Sequence, residues 1–231
     1  MEEILFYIPD AAGATGYAAA QLRRWGFSVT ALPCPKVTHV LLGVPTKGIP
    51  LLPEDVTVFG GNLPQLSQKR VDLLRDETYL AENAAITAHC ALKTATAHLP
   101  VTLEGCEALV IGWGRIGKCL APLLKALGAK VTVAARKEAD LAILAATGYG
   151  AVETAHIDAG KYRLIVNTVP TPVLDGSQAA ENAVLLDLAS TQGISGDKVI
   201  WARGLPGKDA PESSGALIAR TVLRYLGKEQ L

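Results

Sequence analysis

The sequence predicts an α/β protein with two parallel-sheet domains joined by a long helix, and a C-terminal helix that packs back on the first domain. Two observations carry this prediction. Short apolar runs alternate with helical stretches in both halves of the chain, and an alanine-rich stretch near residues 82–98 separates the halves. At 231 residues the chain is long enough to bury two small cores.

The N-terminal part is predicted to alternate strands with one helix. Short apolar runs bounded by Gly, Pro or polar residues are typical of buried parallel strands. Apolar residues at helical spacing predict a helix over 13–25 that ends at Gly26. The predicted strands are 4–8, 27–30, 39–44 and 56–59.

The middle of the chain is helical by pattern, with no strong breaker between residues 66 and 98. We predict a helix near 67–75 and a longer one near 82–97. The longer helix is expected to connect two domains; the alternative is one more covering helix of a single domain.

The C-terminal part restarts the alternation. Strands are predicted at 108–111, 131–134, 164–167, 184–188 and 199–202, with helices after the first two. The last element, near 212–226, carries apolar residues on one face, with Ser213 or Ser214 as its cap.

A glycine-rich turn follows the strand at 108–111, and it is the most informative motif. Gly112-Trp113-Gly114-Arg115-Ile116-Gly117 leads directly into a helix. Gly112 permits the tight turn, Gly114 lets a pyrophosphate approach the backbone, and Gly117 allows close helix–strand packing. Arg115 and Ile116 lie at the helix N-terminus, which favours anions. A plain strand–turn–helix corner is the alternative to a Rossmann dinucleotide site.

The second strand of this domain predicts the cofactor type. Alanines occupy the place where an NAD-binding domain usually has a carboxylate, and Arg136 and Lys137 follow. A guanidinium binds a 2′-phosphate bidentately, so we expect NADP, with NAD as the alternative. Otherwise these two cations are a solvated helix start.

Two further strand ends are expected to border the nicotinamide half of the cofactor. Ligands of open parallel sheets bind at the carboxyl ends of the strands. One strand ends in Thr168-Val169-Pro170 and the next in Asp187 followed by Ala189-Ser190. Asp187 has either a site role or a structural one.

These elements predict the domain boundaries, which are residues 1–81 (N-terminal flavodoxin-like or substrate domain), 82–98 (linking helix), 99–211 (Rossmann NAD(P)-binding domain) and 212–231 (C-terminal helix).

Composition excludes several classes of function. Lys plus Arg equals Asp plus Glu, so no net charge favours nucleic acid or membrane surfaces. No apolar run approaches ~18 residues, and the acidic start at residues 1–3 is unlike a signal peptide, which predicts a cytoplasmic protein. Four cysteines and four histidines at unrelated spacings predict no metal site.

Several of these stretches together resemble the family of the dipicolinate synthase A-type subunit. The resemblance covers residues 83–226, is weaker over an N-terminal part that looks shortened, and is most specific in the loop before the last helix. The matching stretches are residues 110–117, 126–133 with 135–137, 167–170, 187–190 and 204–211.

The resemblance implies a two-domain fold like that of formate and glycerate dehydrogenases, with an active-site cleft between domains. It also implies oxidation of a dihydrodipicolinate-type intermediate of the lysine/diaminopimelate pathway to dipicolinate, the calcium chelator of endospores, which links the chain to sporulation. The expected partners are a pyridine nucleotide, a small-molecule di-acid and a flavoprotein-like B-type subunit. A homo-oligomer is a further state that the sequence allows.

This chain departs from the family pattern at the start of the long helix. Asn83 and Thr87 match, whereas His89 replaces a glutamate and Cys90 a glycine. His89 is a candidate for proton transfer, with packing or solvation as the alternative. Lys208 is a candidate for a substrate carboxylate, or otherwise a solvated loop lysine.

Two functional hypotheses remain open at this point. The first is an NADP-linked oxidoreductase acting on a dihydrodipicolinate-like cyclic di-acid, with Asn83, His89 and Lys208 at the catalytic site and Thr168 and Ser190 beside them. The second is a non-catalytic relative that binds a dinucleotide and acts through a partner protein.

Overall fold

The chain consists of two compact α/β units. A computed structural model describes residues 4–228, and residues 1–3 and 229–231, which include the acidic start and the last part of the predicted C-terminal segment, lie outside the described residues. The first unit comprises residues 4–86 together with 206–228, and the second comprises residues 87–205. Both are built on parallel sheets, so the predicted fold class is confirmed.

The first unit is a five-stranded parallel sheet in the order β2-β1-β3-β4-β5. Side chains alternate between its two faces, as the period of a strand requires: Phe6 and Leu41 contribute to one apolar cluster, and Tyr7 and Val40 to the other. The strands are β1 (Leu5–Tyr7), β2 (Ser28–Thr30), β3 (His39–Leu41), β4 (Thr57–Gly60) and β5 (Lys69–Asp72).

Helices α1 (Gly13–Arg24) and α6 (Pro211–Tyr225) cover the face of Phe6. The two helices approach closely at Gly215, because this residue has no Cβ; a Cβ there would overlap the Tyr17 side chain. The expectation that the C-terminal helix packs against the N-terminal elements therefore matches the observed contact. Its predicted cap was wrong: Pro211 begins α6 and Ser214 is buried inside it, with a hydroxyl that finds no hydrogen-bond partner among the described residues.

Residues 67–75 are the clearest error of the sequence-based prediction. This stretch is not a helix but the edge strand β5 followed by a single 3-10 turn at Leu73–Arg75. Pairing with β4 and the Asp72 carboxylate, which accepts a hydrogen bond from Leu74 N–H, override the helical composition. The long helix α2 (Glu77–His98) begins five residues earlier than predicted, and its residues divide between the two units after Ile86.

The second unit is a six-stranded parallel sheet in the order β13-β11-β9-β6-β7-β8. The order reverses at β6, which is the point where open sheets of this kind bind ligands. Two short strands between β9 and β13 in the chain, β10 and β12, pair with each other in a separate parallel ladder. The elements of this unit are β6 (Glu107–Ile111), α3 (Arg115–Ala126), β7 (Lys130–Ala135), α4 (Glu138–Ala146), β8 (Gly150–Glu153), β9 (Leu164–Asn167), β10 (Leu174–Asp175), β11 (Val184–Asp187), β12 (Ile194–Ser195) and β13 (Val199–Trp201), and the short helix α5 (Leu205–Asp209) begins at its last residue.

Candidate dinucleotide site

A cleft of about 690 Å³ opens at the carboxyl ends of β6, β7 and β9. The glycine-rich turn forms one wall, the end of β7 another, and the loop after β9 the third. Its position matches the strand-order reversal of the sheet. The cleft is lined by Gly112, Trp113, Gly114, Ala134, Ala135, Arg136, Lys137, Asp140, Thr154, Ala155, Thr168, Val169, Pro170, Thr171, Pro172 and Val173.

Gly112 makes the turn out of β6, and its environment explains why no larger residue fits. Its φ of +104° lies in the region that favours glycine. A Cβ there would also stand 2.5 Å from the Thr168 hydroxyl and 2.8 Å from a Val169 methyl carbon. Thr168 in turn is fixed by two hydrogen bonds, from its N–H and its hydroxyl, to the Ile111 carbonyl at 2.9 Å each. The turn and the loop after β9 therefore form one packed wall.

The other two glycines of the motif have different surroundings. A Cβ on Gly117 would overlap the Gly112 carbonyl oxygen, so this glycine allows α3 to pack against the turn. Gly114 has no atom within 4 Å of its ideal Cβ position, and its backbone is extended at φ −85°. The space in front of Gly114 is thus open at the place where a ligand would approach the start of α3, which no side chain caps.

The end of β7 brings two cations and one carboxylate to the cleft. Arg136 and Lys137 are exposed between Ala135 and the start of α4, for which Lys137 is the N-terminal flanking residue. Asp140, in the first turn of α4, is half-buried and lines the same wall. Asp140 is the one carboxylate among the lining residues, and the sequence analysis did not single it out.

A buried polar pair ties the ends of β9 and β11 together. The Asp187 carboxylate is fully buried and accepts four hydrogen bonds, from Asn167 Nδ2 at 3.1 Å and from the N–H groups of Ala189, Gly193 and Ile194 at 2.7–2.9 Å. Asn167 Nδ2 also donates to the Val169 carbonyl at 3.0 Å. Asp187 therefore has a structural role: it holds the loops that follow both strands.

Ala189 and Ser190 follow β11 but do not line the cleft. Ala189 is buried and Ser190 is exposed at the next position. The Ala189 carbonyl accepts a hydrogen bond of 3.0 Å from the indole N–H of Trp201, the last residue of β13. Arg115 and Ile116, which begin α3, are exposed and half-buried respectively and also lie outside the lining set.

Trp113 is a second lining residue that the sequence analysis passed over, although it lies inside the glycine motif. Its ring contacts Tyr149 at a centroid distance of 6.0 Å. Tyr149 is in turn covered by the Lys125 ammonium group, 4.4 Å from the ring centroid. The residues 171–173 after Pro170 and Thr154-Ala155 after β8 complete the wall; since β8 was not predicted, their approach to the cleft had no signal in the sequence.

The three predicted catalytic residues are distributed over α2 and α5. His89 is exposed on α2 within the second unit, and its imidazole makes no hydrogen bond or ion pair with any residue from 4 to 228. Asn83, half-buried on α2, and Lys208, exposed on α5, belong to the first unit. The convergence of these three residues with Thr168 and Ser190 stays a prediction.

Neither a metal cluster nor a membrane-crossing helix is found among the described residues. No group of three or more His, Cys, Asp or Glu side chains within residues 4–228 is arranged to hold a metal ion. Across the same residues, no helix combines the length and apolar character that crossing a bilayer requires.

Comparison with known proteins identifies related chains. The A-type subunit of dipicolinate synthase from Bacillus subtilis (strain 168) is 30% identical over 179 residues, which cover 72% of this chain and 60% of the relative. The chain thus spans about 60% of the length of that curated relative. No model of a protein family matches the chain.

Solved structures share the fold. The crystal structure of the dipicolinate synthase A-type subunit from Bacillus halodurans superposes with a TM-score of 0.83 at 22% identity, covering 97% of this chain and 98% of that one. A transhydrogenase from Sinorhizobium meliloti superposes with a TM-score of 0.68 at 13% identity, covering 97% and 93%. The resemblance drawn from the glycine turn and the loop at residues 204–211 is confirmed: the chain is similar in sequence and in fold to dipicolinate synthase A-type subunits.

Proposed function

We propose that this protein is a pyridine-nucleotide-linked oxidoreductase that prefers NADP and acts on a dihydrodipicolinate-like cyclic di-acid. The observation that carries the proposal is the cleft at the switch point of the second sheet, where an open glycine, an uncapped helix start and two cations meet. These are the features that hold a pyrophosphate and a phosphorylated ribose.

The residues present fit a dinucleotide. The free space at Gly114 leaves room for the pyrophosphate against the backbone. Arg136 and Lys137 would hold the 2′-phosphate of the adenosine half. Thr168, Val169 and Pro170 would border the nicotinamide half, and the Asn167–Asp187 pair holds their loop in place.

NADP supplies a nicotinamide ring that accepts a hydride. The protein's own contribution would be to orient the two reactants and to move one proton. The Thr168 hydroxyl already donates its hydrogen bond to the Ile111 carbonyl. It therefore orients the loop and does not donate to a substrate. We assign to His89 the removal of the proton that the substrate loses on oxidation. We assign the orientation of the substrate to Asn83, Lys208 and Ser190.

The cofactor preference is open to a direct test. Arg136→Asp should reverse the order of affinities, since it replaces a bidentate cation by an acceptor for a 2′-hydroxyl; loss of charge-assisted hydrogen bonds corresponds to roughly 10- to 100-fold weaker NADP binding. Calorimetric titration with NADP and NAD measures both affinities. Lys198→Asp, an exposed change outside the cleft in the same unit, is the control. Equal affinity of the unmodified protein for the two dinucleotides contradicts the proposal.

Asp140 opposes this preference, because a carboxylate beside a 2′-phosphate repels it. Asp140→Asn should therefore tighten NADP binding and leave NAD binding nearly unchanged. The same titration measures this change, and a variant that tightens both dinucleotides equally would show that Asp140 does not face the phosphate.

Gly114→Val tests whether the turn is a binding site or a plain corner. The extended backbone and open space accept a side chain, so the fold should persist while the valine occupies the pyrophosphate position. Dinucleotide binding should disappear. Gly48→Val is the matched control, since Gly48 also has no atom within 4 Å but lies in a loop of the first unit. A folded Gly114→Val that binds NADP normally would contradict the assignment.

A second candidate function is a non-catalytic relative that binds a dinucleotide and acts through a partner. The lack of any described polar partner for His89 favours it, because a general base is usually oriented by a third group. His89→Ala separates the two: it should lower turnover more than dinucleotide affinity if His89 transfers a proton. Oxidation of dihydrodipicolinate by the unmodified protein, alone or with a B-type subunit, decides whether there is turnover to lower.

The proposed function also includes a partner subunit, a cellular compartment and a pathway. The relative from Bacillus subtilis is one subunit of dipicolinate synthase by name, which supports a flavoprotein-like B-type subunit as partner. We place the protein in the cytoplasm and in the branch of lysine/diaminopimelate synthesis that leads to dipicolinate in sporulation. Co-purification of this chain with a B-type subunit encoded beside it would test the partner.

A further inference from the structure

We propose that Arg203 binds a carboxylate of the di-acid substrate, positioned by the indole of Trp201. This inference rests on the proposed function, because it names a residue that would recognise the substrate class. Arg203 was not among the sequence-predicted site residues. Its place in the fold, its neighbours and its charge each support the role.

Arg203 lies at the carboxyl edge of the second sheet, on the side of the order reversal away from Arg136. In the second sheet, β6, β7 and β8 lie on one side of the order reversal, and β9, β11 and β13 on the other. The glycine turn and Arg136 bind the dinucleotide near β6 and β7, so the nicotinamide half and the substrate belong at the ends of β9, β11 and β13. Arg203 is the second residue after β13 and lies at this carboxyl edge.

The register of β11 and β13 relates Arg203 to the segment after β11. Trp201 pairs with Asp187 across the β11–β13 ladder, and Ala202 N–H donates to the Asp187 carbonyl at 2.8 Å. Residues two positions beyond this pair are Ala189 and Arg203. Arg203 therefore stands beside the Ala189-Ser190 segment that the family resemblance already places at the site.

The Arg203 guanidinium is oriented by the Trp201 ring. Its central carbon lies 5.2 Å from the centre of the Trp201 ring, and the Trp201 indole N–H is fixed by the Ala189 carbonyl at 3.0 Å. A guanidinium held on a ring keeps its N–H fork available and loses less freedom when a carboxylate binds. Arg203 is exposed and makes no ion pair with any carboxylate in the described part of the chain.

Arg203 supplies positive charge at the ends of β9, β11 and β13. A di-acid requires cations near the reacting ring. Within the second unit, the described residues that follow these three strands are residues 168–173 after β9, 188–193 after β11 and 202–205 after β13. Arg203 is the one cation among them. The loops otherwise offer hydroxyl, amide and apolar side chains.

The experiment uses the full-length protein saturated with NADP and two probes, pyridine-2,6-dicarboxylate and pyridine-2-carboxylate, titrated by calorimetry. Arg203→Met should weaken binding of the dicarboxylate by about 10- to 100-fold, the loss expected for charge-assisted hydrogen bonds. Binding of NADP should stay within about 2-fold, and the monocarboxylate, whose single carboxylate has two subsites to choose from, should lose less affinity than the dicarboxylate. Arg203→Lys should recover only part of the loss, because lysine keeps the charge without the fork. Arg163→Met, at the opposite end of the sheet just before β9, is the control.

Trp201→Phe tests the positioning role. It keeps an aromatic ring but removes the hydrogen bond to Ala189, so dicarboxylate binding should weaken several-fold in the unmodified background. In the Arg203→Met background the same change should have no further effect on that binding, since Trp201 acts through Arg203. Additive losses in the double variant would overturn the positioning role.

The failures are distinguishable. An unmodified protein that binds NADP but neither probe overturns the proposed substrate class, and Arg203 with it. An unmodified protein that binds the dicarboxylate, together with an Arg203→Met variant that binds it as tightly, overturns the role of Arg203 alone. A variant whose only change is its oligomeric state in light scattering assigns the exposed β13 edge to an interface and also overturns the proposal.

Discussion

The β1–α1 crossover of the first unit and the β6–α3 crossover of the second share the same construction and differ mainly at one residue. In both, the residue after the first strand of the unit donates its N–H to a carbonyl in the last two residues of the neighbouring strand at 2.9 Å: Ile8 to Thr30, and Gly112 to Ala134. In both, a glycine in the first turn of the helix packs against a carbonyl that a Cβ would overlap, namely Gly16 and Gly117.

The difference lies in the residue that leaves the strand. Ile8 is buried in the apolar cluster beneath α1. Gly112 adopts a positive φ, packs against Thr168 and borders an open cleft. The same strand–loop–helix frame thus packs into an apolar cluster where a large side chain follows the strand, and borders an open cleft where a glycine does.

The two units also differ in what stabilises their strand ends. The buried polar residues of the first unit are hydroxyl side chains: Thr15, Ser214 and Thr221. In the second unit, Asn167 and Asp187 are buried and hydrogen-bonded to each other and to the loop backbones. The unit with the cleft therefore has a fully buried polar anchor at its strand ends, whereas Asp72, the carboxylate at the end of β5 in the first unit, is only half-buried. Three sets of variants test the contrasts between the units.

The largest effect is expected at Asp187. Asp187→Asn replaces an acceptor of four hydrogen bonds by a group that presents N–H to N–H donors, and it should lower the free energy of unfolding by about 3–5 kcal/mol. Urea denaturation followed by circular dichroism measures the loss. Asp197→Asn, an exposed carboxylate on the same segment, should change stability negligibly. A loss below about 1 kcal/mol at Asp187 would remove the anchor from the comparison.

A second pair of variants tests the equivalence of the two crossovers. Gly16→Ala and Gly117→Ala gain helix propensity but force a Cβ onto a backbone carbonyl, so each should destabilise the protein by about 1–3 kcal/mol. Thermal denaturation gives both values. Only Gly117→Ala should also weaken NADP binding, because only that turn borders the cleft. Equal effects of both variants on dinucleotide affinity would break the distinction between the units.

The smallest effect concerns the polar tie of the first unit, at Asp76. Burial raises the pKa of this carboxyl, but hydrogen bonds from Tyr79 N–H, Arg224 and Tyr225 outweigh it and leave the pKa below its usual value. Such a group stabilises the folded state above its unfolded pKa of about 3.9 and loses that contribution as the pH falls through the lower folded value.

Asp76→Asn keeps a helix-capping side chain and removes the charge, so it should cost about 1–2 kcal/mol near neutral pH. The difference from the unmodified protein should be constant above about pH 5 and shrink below about pH 4. Denaturation midpoints across this pH range measure the trend. A difference that persists unchanged at about pH 3 would show that the charge of Asp76 is not the source of the tie.

Most of the second unit could be predicted from the sequence because its signals are local. The apolar run of β6, the glycine spacing and the helix after it are read from adjacent residues, and β9 was predicted at its observed bounds. β5, β8, β10 and β12 were not predicted. β5 and β8 have no buried residue, and β10 and β12 are two residues long with one buried residue each. None of the four shows an apolar period, so pairing with a neighbour makes each one a strand.

The sequence by itself determined the α/β class, the glycine-rich turn and the resemblance to the dipicolinate synthase A-type subunit, since strand period, glycine spacing and motif order are read from the residues alone. Only the tertiary structure decided which distant residues come together. Asp140 and Trp113 line the same cleft, Asp187 joins two loops, and the Trp201 indole N–H donates a hydrogen bond to the Ala189 carbonyl. These contacts join residues from different strands, helices and loops. The register of neighbouring strands and the packing of helices on the sheet place them, and neither is encoded in any short window of the chain.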